Sequence, residues 1–319
     1  MPKGSAAGAT TGGGGAALAE PREFGSAARQ LDLPFPEGSS PRAKPLEVRD
    51  TVFVPPNAAR LGAAEYLGGG ANATYIATFP NGARGVYKPV VGEVGVLRGT
   101  MVGDMAWREI ATKRFGDLLG ARVVPNVQHV SLADTQLPRG GRGGPGSLME
   151  FKDGAKTWAN IQFSVDAAVF RTPRLRSQMG QMHVLDYAFQ GHDRHAGNWM
   201  YNANTRRVWM IDNGLGATKG GYGGRGGWKP GQALREVGLE GSRARDLVPR
   251  RMRSAIARLA AMPRGQRAQE IRRVMAMGQK GLGGPQAGFY NAAARRIGEI
   301  HQAIVRNTKL PTGYDRNDR

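Results

Sequence analysis

The chain has 319 residues, a formal net charge of +20 and no cysteine. The missing thiols exclude disulfides, a cysteine nucleophile and thiolate metal sites, and they fit a reducing, cytoplasmic compartment. The length leaves room for one large bilobal unit or two modest domains with a sizeable core. No apolar run approaches the roughly 18 residues that cross a bilayer, and the N-terminus lacks the apolar centre of a signal peptide. The expectation is a soluble protein not exported by the usual route.

Residues 1–45 are Gly, Ala, Ser and Pro with few large apolar side chains, including the run Gly12 to Gly15. Such a segment buries too little apolar surface to offset the entropy of ordering, so it is predicted to be disordered. The ordered part is predicted to begin near Leu46, with Val52-Phe53-Val54 as a first strand. Tyr66 to Ile76 carries Gly68, Gly69 and Gly70 between two strand-like runs. This reads either as a hairpin turn or as a loop whose backbone N–H groups approach phosphate oxygens without a Cβ in the way. After the Asn81-Gly82 turn, Lys88 ends the short strand Gly85-Val86-Tyr87-Lys88-Pro89.

Trp107-Arg108-Glu109-Ile110-Ala111 begins a predicted helix with Trp107, Ile110, Ala111 and Leu118 on one face and Gly120 as its stop. Val123 to Val127 and His129 to Leu132 read as strands, and Asp134 to Gly146 as a Pro/Gly/Arg-rich turn. Ser147 to Phe151 reads as a further strand, and Trp158 to Arg176 shows no clear pattern. Met182, Leu185 and Phe189 share one helical face. A loop with Asp193 and Asn198 follows, then an apolar strand, Val208 to Ile211, ending in Asp212-Asn213-Gly214. Further helices are predicted around Met252 to Leu259, Ile271 to Met275 and Ile297 to Ile304, separated by Pro263 and by Gly281 to Pro285.

The loop, strand and acidic turn carry the most chemistry. Two carboxylates and an amide supply hard oxygen ligands for a divalent cation and one carboxylate free to orient a hydroxyl, which is what phosphoryl transfer needs. Singly, Asp and Asn in such loops are ordinary turn formers; their combined spacing carries the argument. A metal-dependent phosphohydrolase built on His192, Asp193 and His195 is the alternative. It needs further histidines, and the other three, His129, His183 and His301, are scattered.

Asp193-Arg194-His195-Ala196-Gly197-Asn198, Ile211-Asp212-Asn213-Gly214 and Val86-Tyr87-Lys88-Pro89 with the following Gly92-Glu93 resemble the atypical kinases. These are the phosphatidylinositol 3-/4-kinase-like proteins, the secretory-pathway kinases and, more loosely, the HipA-type kinases. The resemblance spans about half the chain, Tyr66 to Ala217. It implies an α+β, bilobal protein-kinase-like fold, with a β-rich N-lobe over residues 46–151, a mainly helical C-lobe over 152–310 and a flexible tail over 311–319. It also implies roles: Gly68, Gly69 and Gly70 over the phosphates, Lys88 against them, and Glu109 as the partner of Lys88, with Glu93 as the substitute. Glu150 and Phe151 would form the hinge whose backbone meets adenine, though an edge strand is an equal reading. Asp193 would be the catalytic base, and Asn198 and Asp212 the metal ligands. The implied activity is kinase transfer from ATP with Mg²⁺, or Mn²⁺ in its place, to a hydroxyl of a protein Ser or Thr or, secondly, a lipid. No activation-loop terminator of the A-P-E kind follows the Gly-rich stretch Lys219 to Gly231.

Residues 219–319 hold 21 Lys and Arg against 7 Asp and Glu. A cationic field of this strength attracts nucleic acid or anionic surfaces, unless it is simply a solvated basic face. No zinc knuckle, RNA-binding signature or helix-turn-helix is present. The rival to an active kinase is therefore a pseudokinase or a non-catalytic basic assembly protein of a phage or nucleoprotein, virion-associated in that case.

Overall fold

The computed structural model describes residues 61–68, 72–93, 103–191, 193–217, 231–276 and 288–312. Residues 1–45, the expected strand at Val52 to Val54, the Gly281 to Pro285 separator and the end of the tail lie outside them. Among the described residues no helix is long and apolar enough to cross a membrane.

Five antiparallel strands form one sheet in the order β1-β2-β3-β5-β4. They are β1 (Ala63–Tyr66), β2 (Tyr75–Thr78), β3 (Arg84–Pro89), β4 (Val127–Leu137) and β5 (Gly141–Glu150). Side chains alternate across a strand, so the register assigns two faces. Tyr75 pairs with Tyr87 and Tyr87 with Leu148, and these three share a buried cluster with Val130, Leu132 and Leu137. Ile76, Val86 and Met149 occupy paired positions on the other face, where Lys88 stands opposite Ser147.

The stretch expected as a turn, Asp134 to Gly146, is mostly strand. Only Pro138–Gly140 turns, between strands of 11 and 10 residues. Two of its glycines serve close packing instead: a Cβ on Gly146 would lie 2.4 Å from the Lys88 carbonyl oxygen, and one on Gly141 2.1 Å from the Tyr75 hydroxyl oxygen. The hairpin tip reaches back to β1, where the Arg139 guanidinium sits 4.5 Å over the Tyr66 ring. The Tyr87 hydroxyl donates to the Gly144 carbonyl at 2.7 Å. Val123 to Asn126, read as strand, instead links helix to strand, and the Val123 carbonyl accepts from the Met210 N–H at 2.7 Å.

Helix α1 (Asp104–Leu119) crosses beneath this sheet and ends where expected, at Gly120 with φ 73°. It starts before Trp107 because the Glu93 carboxylate accepts the Gly103 and Ala106 N–H groups, both at 2.8 Å, doing the work of an N-cap from ten residues upstream. The remaining helices are α2 (Trp158–Ile161), α3 (Pro173–Phe189), α4 (Gln232–Glu236), α5 (Ala244–Leu247), α6 (Arg250–Ala261), α7 (Arg264–Ala276) and α8 (Phe289–Arg306). A second sheet, β6 (Lys156–Thr157), β7 (Trp199–Asn202) and β8 (Arg207–Met210), lies among them.

The unpatterned stretch from Trp158 contributes Trp158 and Phe170 to an aromatic cluster with Trp199 and Tyr201. Buried Met182, Leu185 and Phe189 of α3 join Ile256, Ile271, Ile297 and Ile300 in one large core. Gly180 lets α3 lie against α5, since a Cβ there would come within 2.1 Å of the Leu247 carbonyl oxygen. The result is a β-sheet lobe and a helical lobe, with α1, the end of β3 and the turn after β8 meeting between them.

Candidate active site

Lys88, Glu109 and Asp212 come from a strand, a helix and a turn far apart in the chain, and they meet at one point. The Lys88 Nζ lies 2.6 Å from Glu109 Oε1 and 2.7 Å from Asp212 Oδ1. Glu109 is 1% exposed, Lys88 16% and Asp212 44%, so the acidic turn is the open edge of the triad. Burial alone would push the ammonium down, but Asp212 and then Glu109 outweigh it and hold Lys88 above its usual range. Lys88 in turn holds the Asp212 carboxyl below the usual carboxylate range against the opposing effect of burial. Asp212 has φ 53°, a left-handed conformation that a non-glycine residue adopts at a cost.

Across the cleft edge, Asn198 Nδ2 donates to the Asp193 carbonyl at 2.7 Å and to Asp193 Oδ2 at 3.1 Å. With Nδ2 committed, the amide oxygen of Asn198 is the atom left to act as a ligand. Burial pushes the Asp193 carboxyl up; His195 opposes this and the Asp212 charge adds to it. The Gly197 N–H donates to His195 Nδ1 at 3.0 Å, which places the ring proton on Nε2, 3.8 Å from Asp193 Oδ2.

One residue that the motif contains but that sequence reasoning gave no role organises the whole site. Arg194 is buried, and its five N–H groups are all taken. Nε donates to both oxygens of Asp186 at 3.2 Å, and Nη2 to Asp186 Oδ1 at 3.1 Å and Asn213 Oδ1 at 2.6 Å. Nη1 donates to the carbonyls of Asn198 and Ile211, the latter at 2.7 Å. Asn213 Nδ2 continues the network to Glu109 Oε2 at 3.2 Å. Arg194 thus ties the Asp193 loop, the Asp212 turn and α3 together, and through Asn213 it reaches the partner of Lys88. The sequence signal was the Asn213 beside Asp212 and the Asp186 one turn from the end of α3. Neither is interpretable until the guanidinium fork is placed.

The other expected contacts divide. Gly68 has φ 67° and follows β1, with the Leu67 N–H donating to the Thr74 carbonyl at 2.9 Å; Gly69 and Gly70 lie outside the described residues. His192 also lies outside them. Among the described residues no group of three or more His, Asp or Glu could hold a metal ion by itself. At the expected hinge, the Glu150 N–H donates to Asn126 O at 2.8 Å and the Phe151 N–H to Arg84 O at 3.3 Å. Those two donors are engaged within the protein, so a base reaching this strand end would meet carbonyls or side chains of these residues. Glu93, the substitute partner for Lys88, is the helix cap described above.

No protein-family model and no curated protein sequence matches the chain. Among solved structures, the crystal structure of the Golgi casein kinase aligns with a TM-score of 0.50 at 14% identity, covering 78% of this chain and 72% of that one. The Golgi casein kinase with Mn/ADP bound aligns with a TM-score of 0.47 at 13% identity, over 81% and 78%. The Helicobacter pylori proinflammatory kinase CtkA gives 0.45 at 10% identity, over 78% and 96%. At these identities likeness speaks of fold alone. The β-sheet lobe and helical lobe of this chain match the kinase-like fold of the Golgi casein kinase.

Proposed function

We propose that the chain is a kinase that moves the γ-phosphoryl group of ATP to a hydroxyl. The observation that carries this reading is the Lys88 ammonium held between Glu109 at 2.6 Å and Asp212 at 2.7 Å, beside the Asp193–Asn198 pair. In this reading Lys88 steadies the nucleotide phosphates and Glu109 orients Lys88. Ile76, Val86 and Met149, on the Lys88 face of the sheet, offer an apolar surface for a base.

The donor set fits a divalent cation that also takes oxygens from a nucleotide. Asp212 is held anionic with its second carboxylate oxygen open, and the Asn198 amide oxygen is uncommitted. Hard oxygen ligands of this kind suit Mg²⁺ or Mn²⁺. A cation held there would neutralise phosphate charge. Asp193 accepts the proton of the acceptor hydroxyl as its oxygen bonds to the γ-phosphorus. The bond to the β–γ bridging oxygen breaks, and ADP leaves.

A protein Ser or Thr is the first acceptor to test and a lipid headgroup the second. The test is transfer from ATP labelled at the γ-phosphate, with Mg²⁺ or Mn²⁺, to the chain itself, to an acidic protein and to lipid vesicles. Wild type should label at least one acceptor and Asp193→Asn should lose most of that. A wild type that binds nucleotide yet labels neither an acceptor nor water would be a pseudokinase.

A further inference from the structure

Part of the positive charge of the C-terminal third has a structural task. In the C-terminal third, Arg267 is buried and donates to the carbonyls of Leu259, Ala260, Met262 and Ala294, closing α6 against α8. Arg245 donates to the Ile304 and Val305 carbonyls at the end of α8. Arg273 and Arg295 are paired with Glu270 and Glu299. These four arginines serve the helical packing.

A different surface gathers arginines that have no ion pair among the described residues. Two glutamines one turn apart on α3 hold three backbone segments together. Gln181 Oε1 accepts the Arg122 N–H at 2.8 Å, Gln178 Oε1 accepts the Val208 N–H at 2.8 Å, and Gln178 Nε2 donates to the Arg206 carbonyl at 3.2 Å. This brings the exposed Arg122 and Arg174 beside Arg207. Burial, then Arg174 and Arg122, push Arg207 below the usual guanidinium range, as like charges close together must. None of the three has an ion pair among the described residues. On one side, Arg207 lies 4.9 Å over the Trp209 ring, which also carries Lys152 at 4.1 Å. On the other, Arg251 of α6 lies against Gly120, two residues before Arg122. The nearby carboxylates are already engaged, Glu150 by Lys152 and Asp117 by Lys113.

We propose that this surface, running from Lys152 through Arg207, Arg174 and Arg122 to Arg251, binds the phosphodiester backbone of nucleic acid without reading sequence. The cations stand on separate elements, Lys152 and Arg207 sharing the Trp209 ring and Arg251 lying at Gly120, which suits a repeating polyanion better than a single phosphate. The Trp209 ring holds two cations, so its part is to fix charge and not to stack a base. No large exposed apolar side chain belongs to the surface, as membrane insertion would need. Those among the described residues are Leu67, Val91, Phe163 and Val305, on other elements.

The test is anisotropy of a short labelled single strand and a duplex with the full chain, between about 50 mM and about 200 mM salt. The triple variant Arg122→Gln/Arg174→Gln/Arg207→Gln should bind more weakly, and the slope of log affinity against log salt should fall by about 2 to 3. All three side chains reach solvent, so its melting temperature and phosphate transfer should match wild type. A control triple at exposed positions in the C-terminal third, Arg264→Gln/Arg272→Gln/Arg306→Gln, should retain most of the slope. Loss of slope in the control but not in the patch variant would overturn the assignment. So would absence of binding at the lowest salt, or patch-dependent binding to phosphatidylserine vesicles in preference to nucleic acid.

Discussion

Replacing Lys88 with alanine should destabilise the protein as well as stop its chemistry, which a solvent-facing lysine at a strand end would not do. The ammonium is the only cation within bonding distance of Glu109 among the described residues, and that carboxylate is 1% exposed. Its other partner, Asn213 Nδ2 at 3.2 Å, is neutral. Removing one member of a buried pair typically costs about 3–5 kcal/mol, because the charge left behind stays desolvated. The Asp212 contact adds no more than about 1 kcal/mol, since that carboxylate is 44% exposed and solvent screens it. At about 2–4 °C per kcal/mol for a chain of this size, Lys88→Ala should melt roughly 6–24 °C below wild type. The mechanism is isolated by a second substitution: Lys88→Ala/Glu109→Gln removes the stranded charge and should melt closer to wild type than Lys88→Ala alone. Thermal unfolding followed by circular dichroism reads both. A Lys88→Ala protein melting within about 2 °C of wild type, less than 1 kcal/mol, would refute the reasoning.

Arg194→Lys keeps a charge facing Asp186 but replaces a five-donor fork with one donor point, so the Asp193 loop and the Asp212 turn lose their common tie. Single-turnover transfer should fall by about 10²-fold, as displacement of catalytic groups by about 1 Å does, while the melting temperature falls less than in Arg194→Met. Unchanged transfer in Arg194→Lys would remove its positioning role. The pH profile of transfer should have an acid limb above the ordinary aspartate value of about 3.9, because Asp193 is raised by burial and by Asp212 and must be deprotonated to accept a proton. Activity is then lost as pH falls through that raised value, and a limb at or below about 3.9 would contradict the assignment. Asp212 carries the opposite sign: its depressed value stabilises the fold above its unfolded value, and that contribution disappears only as pH falls through the lower, folded one.

What the sequence made legible was local. Lys88 on a short strand, the end of α1 at Gly120 and the apolar faces of α6 and α8 depend on spacing within one element, and the structure has them as read. Asp193, Asn198 and Asp212 could be singled out because loop, strand and turn follow within twenty residues. What depended on meeting distant residues was hidden. The glycines between Asp134 and Gly146 resemble a turn until Lys88 and Tyr75 are seen to press against Gly146 and Gly141. Glu93 looked like a spare partner for Lys88, yet its carboxylate oxygens accept the Gly103 and Ala106 N–H groups at the start of α1. Arg194 stood within the quoted motif, but its roles are spread over Asp186, Ile211 and Asn213, from 8 residues before it to 19 after. The basic surface failed in the same way: Arg122, Arg174 and Arg207 are unremarkable in sequence and adjacent only after α3 folds.

The most direct test of the proposed site is a calorimetric titration of ATP into wild type and Asp212→Asn, each with and without Mg²⁺. The site geometry calls for binding by wild type that tightens with Mg²⁺, and for loss of that Mg²⁺ dependence in Asp212→Asn. Asp193→Asn, whose change lies on the acceptor side, should bind Mg-ATP as wild type does. Equal Mg²⁺-dependent binding by wild type and Asp212→Asn, or no nucleotide binding by wild type at all, would contradict the account.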